Sequence, residues 1–309
     1  MSETLDKSTF DAPDIYASCV LLSTALDDDS MSSQFNLMAT SPTGLMYVPP
    51  CLDEQTNLDE IPWQLVRAAL WQFYANLLLM CESEDHELVH QARIGWRRLR
   101  GTYRLIRTIP HLPTPPSTEP LQILMEQLRA LRECHVARYE ILPLVTSDHQ
   151  EWCAFAAALE MEALVRHKVL RILLQDPSIG NALWQQVVWL MHLKDYANLS
   201  GANPINRVSP TQWATQHVVR IQHQFERAHK KAKDPETLHQ ARIWAKRLRY
   251  AVEDLKGMLP HKAMRWHRSA IKAQSKLGAK RDVEITAELA RRHGAPHIAK
   301  KILSISSAN

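Results

Sequence analysis

The sequence predicts an all-α protein assembled from two copies of one basic helical unit, and three observations carry that prediction. Only 8 of the 309 residues are glycine, so the tight turns of a sheet-rich fold are scarce while good helix formers abound. From about Asp59 onward the apolar residues follow the period of amphipathic helices. The third observation is an internal repeat. The segment from His90 to Arg100, HQARIGWRRLR, returns as HQARIWAKRLR from His239 to Arg249, identical at eight of eleven positions. The offset is 149 residues, and at that offset Leu128 falls on Leu277, Arg132-Glu133 on Arg281-Asp282, and Val136 on Ile285. A correspondence of that length marks a duplicated half of a domain.

Along the chain, residues 1–58 are rich in Ser, Thr and Asp and hold nine carboxylates against the single cation Lys7. They are expected to form an acidic N-terminal segment, partly extended or disordered. Pro62 is well placed in the first turn of a helix running to about Cys81. A second helix is expected from Asp85 to Ile109, ended by the proline-rich loop at 110–116, and others follow at about 119–142, 150–175 and 179–197. The stretch from Asn198 to Pro204 reads as the boundary between a first half, about 59–200, and a second, about 201–309. The second helical series starts near Ser209-Pro210 and breaks at Asp234-Pro235, near Pro260 and at Gly294-Ala295-Pro296.

Composition narrows the function. With 45% apolar and 23% charged residues, the chain has the makeup of a soluble globular protein. Its apolar runs are too short to span a bilayer and its first residues lack a signal-peptide core, so no membrane association and a cytoplasmic location are expected. The five cysteines form no CxxC pair, and their odd number argues for reduced thiols. The net charge of +4 conceals a net of −8 on residues 1–58 and therefore +12 on the helical remainder. That asymmetry favours an anionic partner.

The repeated motif concentrates the charge. On a helix His90, Arg93, Arg97, Arg100, Arg104 and Arg107 fall at spacings of three and four, forming one stripe about 25 Å long at ~1.5 Å per residue. Ala92, Gly95, Trp96, Leu99, Tyr103 and Ile106 take the opposite face, so the helix has a core side and a cationic side. In the second copy the stripe is His239, Arg242, Lys246 and Arg249, interrupted by Glu253 before Lys256. A merely solvated face interleaves acids with bases, whereas the first stripe contains no carboxylate. Guanidinium groups in such a row repel unless an anion lies between them, and their planar fork matches phosphate. His90 and His239 open the two stripes, each placed either to donate to a phosphate oxygen or to satisfy a backbone or carboxylate group.

These paired motifs resemble the CHAD family, the conserved histidine α-helical domain, over roughly residues 60–309. The resemblance rests on the two HQARI…R/K-R-L-R segments, with Arg132-Glu133 and Arg281-Asp282 each following 42 residues after its His. It implies two pseudo-symmetric helical bundles and binding of inorganic polyphosphate in a basic groove. The positions carried over from it are His90, Arg93, Arg97, Arg100, His239, Arg242, Lys246 and Arg249. The expected polyphosphate-binding set adds Arg98, Arg104, Arg107, Arg247, Lys276, Lys280 and Arg281. The segment from Lys276 through Gly278 to Asp282 matches the family's second motif, while the first copy lacks that glycine and carries Glu133 where the second has Asp282.

Other motifs are weaker. His86-Glu87-Leu88-Val89-His90 fits the H-E-x-x-H zinc pattern, but the repeat puts Pro235 at the place of His86, and the Arg row beside it repels a dication. His217, His223 and His229 point in different directions on a helix. Glu82/Glu84 and Glu160/Glu162 lack the lysine of an E-x-E-x-K triphosphatase, and no P-loop, G-x-G-x-x-G or G-x-S-x-G occurs. The tryptophans Trp63, Trp71, Trp96, Trp184, Trp189, Trp213, Trp244 and Trp266 read as core anchors. The expectation is thus a non-enzymatic polyphosphate binder with no catalytic residues, no metal and no cofactor, associated with polyphosphate granules. Nucleic-acid binding through the phosphate backbone is the alternative, and a phosphohydrolase using Glu133, Asp282 and Glu284 is the third class. The oligomeric state stays open.

Overall fold

The computed structural model describes residues 44–145, 150–201 and 208–307, which hold nine α-helices and no strand. Helix α1 spans Ile61–Leu79, α2 His86–Ile106, α3 Gln122–His135, α4 Gln150–Leu174 and α5 Pro177–Gly201. They are followed by α6 Pro210–Lys231, α7 Pro235–Asp254, α8 Ala263–Arg292 and α9 Pro296–Ser307. The all-α expectation holds. Among these described residues no helix is long and apolar enough to cross a membrane.

The repeat extends to helix boundaries, since α1 and α6 begin 149 residues apart and so do α2 and α7. The caps repeat as well. Asp85 accepts from the backbone N–H of Glu87, and Asp234 accepts from those of Glu236 and Thr237, each carboxylate satisfying donors that the first helical turn leaves open.

Two expectations change. The single helix expected at 119–142 is a 3-10 turn at Glu119–Leu121, then α3, then a π-helical segment at Val136–Ile141 and a second 3-10 turn at Leu142–Leu144. Pro120 and Pro143 bracket the region, and each removes a backbone donor that an α-helical turn requires. The boundary expected from Asn198 is helical through Gly201, and the Ser200 hydroxyl donates back to the Tyr196 carbonyl within the same helix (2.8 Å). Residues 202–207, the rest of that stretch, lie outside the described residues.

Buried side chains form two clusters. The larger draws on α1, α2, α3, the end of α4, α5, α6, α7 and the start of α8, and includes Phe73, Tyr74, Leu99 and Leu248. The smaller joins the end of α3, the π-helical segment, the first half of α4, the end of α8 and α9, around Phe155, Leu159, Ile298 and Ile302. Neither cluster belongs to one half of the sequence. The two separate bundles expected from the repeat are therefore not seen: the 149-residue offset recurs in helix starts, while the core is shared between the halves. Trp71, Trp96, Trp189 and Trp213 are buried anchors of this core, whereas Trp63, Trp184, Trp244 and Trp266 pack against it half-exposed. Residues 44–60 carry no helix or strand and lie against the first helices. Leu45 exchanges two hydrogen bonds with the Asn76 side chain (2.9 and 3.0 Å), and Leu52 and Leu58 are buried.

The core face of α2 is the expected one, with Ala92, Gly95, Trp96, Leu99 and Ile106 all buried. Gly95 permits backbone contact with α1, since a Cβ there would stand 2.7 Å from the Phe73 nitrogen. Gly101, two turns on, has nothing within 4 Å of its Cβ position. The two glycines should respond oppositely to alanine in urea unfolding. Gly95→Ala should destabilise by roughly 1–3 kcal/mol through overpacking, and Gly101→Ala should stabilise by up to about 1 kcal/mol through helix propensity. Leu99→Ala, a core truncation, should cost about 2–5 kcal/mol. Equal responses at Gly95 and Gly101 would contradict these packing assignments.

Candidate functional site

Helices α2 and α7, the two carriers of the repeated motif, pack directly against each other. Their contact is made by Arg98, which corrects its sequence-based assignment to the anion surface. Only 6% of Arg98 is exposed. One terminal nitrogen donates to Asp254 (2.9 Å), the other to Glu253. Its guanidinium lies against the rings of Tyr47 and Tyr250, 3.8 and 4.6 Å from their centroids. Burial lifts the Asp254 carboxyl to about 6 even with Arg98 beside it. Arg249 is also engaged, donating from Nε to Glu253 (2.8 Å), a carboxylate that His267 contacts as well. Both arginines act as ties within the fold.

With α2 and α7 joined in this register, the remaining cations face a shared opening. A groove of about 820 Å³ runs between α2, α6 and α7, with Arg97, Arg100, Arg104 and Arg107 along one wall and Lys246 and Arg247 on another. A second recess of about 310 Å³ lies on the other side of α2, where Arg93, Arg97 and Arg100 meet Arg129 of α3. Arg97 and Arg100 belong to both, so the cationic surface passes over α2 from one recess to the other.

The electrostatics show how crowded this surface is. Lys246 is drawn down to about 7 by burial and by the fields of Arg97, Arg242 and Arg93, with Asp282 opposing. Arg93 is held at about 10 by burial and by Arg97, Arg129 and Arg132, with Glu133 opposing. Burial and the nearby Arg132 and Arg97 bring His90 to about 4, leaving it neutral at physiological pH. His239 is lowered by burial, Arg281, Arg242 and Lys246. The repeat is visible here too: Glu133 stands to Arg93 as Asp282 stands to Arg242. These carboxylates each sit beside an arginine, an arrangement that orients cations within the surface.

Sequence reasoning located Arg93, Arg97, Arg100, Arg104, Arg107, Arg242, Lys246 and Arg247 on or beside the two recesses. His90, His239 and Arg281 line neither recess, and Lys276 and Lys280 are exposed on α8, also outside both lining sets. Gly278 of α8 lies near Arg242, a Cβ there standing 3.9 Å from its Nη2, an ordinary contact that does not require glycine. Two cations escaped notice. Arg129 sits one turn before Arg132 on α3, a spacing that was readable. Arg220 of α6 also lines the main groove, but it stands alone in sequence and only helix packing brings it there. As for the H-E-x-x-H pattern, His86 stacks on Tyr139 at 5.0 Å. Among the described residues no three His, Cys, Asp or Glu side chains converge as a metal-ligand set.

Comparison with known proteins bears on the fold. A family model described as CHAD domain matches residues 64–291. A structure described as "Crystal structure of the CHAD domain from the plant Ricinus communis" superposes with a TM-score of 0.73 at 22% identity, covering 86% of this chain and 91% of that one. No curated protein matches the chain.

Arg98 and its groove-lining neighbour Arg97 should separate in experiment. Arg98→Ala leaves Asp254 and Glu253 without their buried partner and should cost about 3–5 kcal/mol in chemical denaturation. Arg97→Ala should cost under about 1 kcal/mol, because its removal relieves repulsion. Comparable losses in the two variants would restore Arg98 to the cationic surface.

Proposed function

The chain belongs to the CHAD domain family, and from that membership and the groove geometry we propose that it binds inorganic polyphosphate without transforming it. The observation that carries this reading is the convergence of Arg97 and Arg93 from the first copy with Lys246 and Arg242 from the second, cations crowded enough to bring a lysine to about 7. Such a cluster is costly when empty and is relieved by a polyanion. Arginine forks suit phosphate oxygens, and phosphates spaced along a flexible chain can meet successive arginines on α2. Glu133 and Asp282 serve to orient cations, so hydrolysis has no assigned machinery. On this reading the protein works in the cytoplasm at polyphosphate deposits.

The test is a titration with polyphosphates of defined length, with duplex DNA as comparator, at one ionic strength. Long chains that reach both recesses gain effective concentration, so they should bind far more tightly than triphosphate per phosphate offered. DNA, a thick stiff rod, should bind more weakly. Arg97→Glu combined with Lys246→Glu should lower affinity at least about a hundredfold, as loss of several charge-assisted contacts implies, with the far-UV circular dichroism still helical. DNA outcompeting long polyphosphate would replace this reading with the nucleic-acid one.

Binding should also take up a proton. In the free protein Lys246 titrates near 7 against an ordinary 10.5, so between those values the unfolded chain holds the extra proton and stability rises with pH. A bound polyanion favours protonated Lys246. Affinity should therefore fall as pH rises from 7 towards 10, by up to about tenfold per unit. The Lys246→Met variant should show a flatter profile, measured by calorimetry in buffers of different ionisation enthalpy. A flat profile in the wild-type chain would remove Lys246 from the binding surface.

A further inference from the structure

The main groove has a cationic rim but an apolar floor, and a chain of inorganic phosphates leaves that floor in water. Half-buried Ile221, Ile243 and Trp244 open onto it beside the buried Leu105. Its volume of about 820 Å³ lies within the range of sites that enclose an organic ligand.

Two departures from the repeat meet in this groove. At the offset of 149, Gly95 of the first copy corresponds to Trp244, and Gly101 corresponds to Tyr250. Packing on Phe73 accounts for Gly95. It does not account for Gly101, which lines the groove with open space around its Cβ position, although glycine inside a helix is less stable than alanine. The bare backbone there widens the α2 wall, while Trp244 presents an indole from the α7 wall. That indole already carries a planar cation, the Arg247 guanidinium lying 4.5 Å from the ring centroid. A nucleobase stacks on either surface, indole or guanidinium.

We propose that this groove accepts a nucleoside polyphosphate, with the aromatic base seated against Trp244 and Arg247 in the space that Gly101 leaves open, and the phosphates running along Arg97, Arg100 and Arg104. The inference rests on the polyanion reading and narrows its ligand class. The base covers apolar surface that phosphate cannot, and the phosphates neutralise the rim.

The experiment compares adenosine 5′-tetraphosphate with inorganic tetraphosphate by calorimetry on the full chain, at one pH and ionic strength. The nucleotide carries one ionisable oxygen fewer, so charge alone favours the inorganic ligand. The expected result is that the nucleotide binds at least about tenfold more tightly, the gain of one base stacked on an aromatic side chain. Trp244→Ala and Gly101→Leu should each bring the ratio of the two dissociation constants towards one. Gly101→Leu adds its side chain to open space, so it tests the site even where Trp244→Ala disturbs packing. Equal affinities in the wild-type chain, or a ratio that survives both substitutions, would overturn the inference while leaving the polyanion reading in place. Failure of both ligands to bind overturns this inference, and the polyanion reading falls with it where long-chain polyphosphate fails to bind as well.

Discussion

Helices α2 and α7 each carry a row of cations that repel one another, and while the shared core holds them together, one contact fixes how they meet. Arg98 supplies it by reaching from α2 into the C-terminal turn of α7, where Asp254 and Glu253 accept its two terminal nitrogens. The rings of Tyr47 and Tyr250 lie against the guanidinium, and its burial strengthens the pairing. Such a buried ion pair adds little net stability, because desolvation offsets most of the Coulomb gain. Its effect is on register: a shift of either helix would leave a buried charge alone. Every other feature of the groove follows from that register.

Once the register is set, the cations that remain have few partners. Glu133 offsets Arg93 and Asp282 offsets Arg242, while Lys246 stands among Arg97, Arg242 and Arg93 with Asp282 opposing them. The free protein therefore holds electrostatic strain in this region, supported by the shared core beneath. Anion binding is favourable for the same reason that the empty site is strained. The residues that bear the strain come from both copies, so one copy alone would not create it.

The duplication is kept where it serves packing and capping and is broken where the groove opens. Asp85 and Asp234 cap equivalent helices. Gly95 and Trp244 occupy equivalent positions with opposite consequences: the glycine lets α2 touch the α1 backbone, a distance that an indole forbids. The second copy instead leaves a half-exposed aromatic ring on the wall of a groove. Residues 44–60 depart from the repeat in another way, delivering Tyr47 onto Arg98 and so joining an irregular segment to the central ion pair.

The sequence by itself determined the helical class, the duplication and the cationic face of α2, because 3-4 periodicity and a repeated motif are local properties that helix geometry converts directly into faces. It also indicated that Glu253 interrupts the second stripe. What it left open was the partner of that carboxylate, since Arg98 and Glu253 lie 155 residues apart. Arg98 and Arg97 look interchangeable on paper. Only the tertiary structure decided that one is buried between two helices while the other faces the groove, because helix rotation relative to a neighbour is set by packing. The same holds for Arg220 and Trp244. Their neighbours in sequence say nothing of a groove, which exists only where α2, α6 and α7 meet and their side chains fail to fill the space between them.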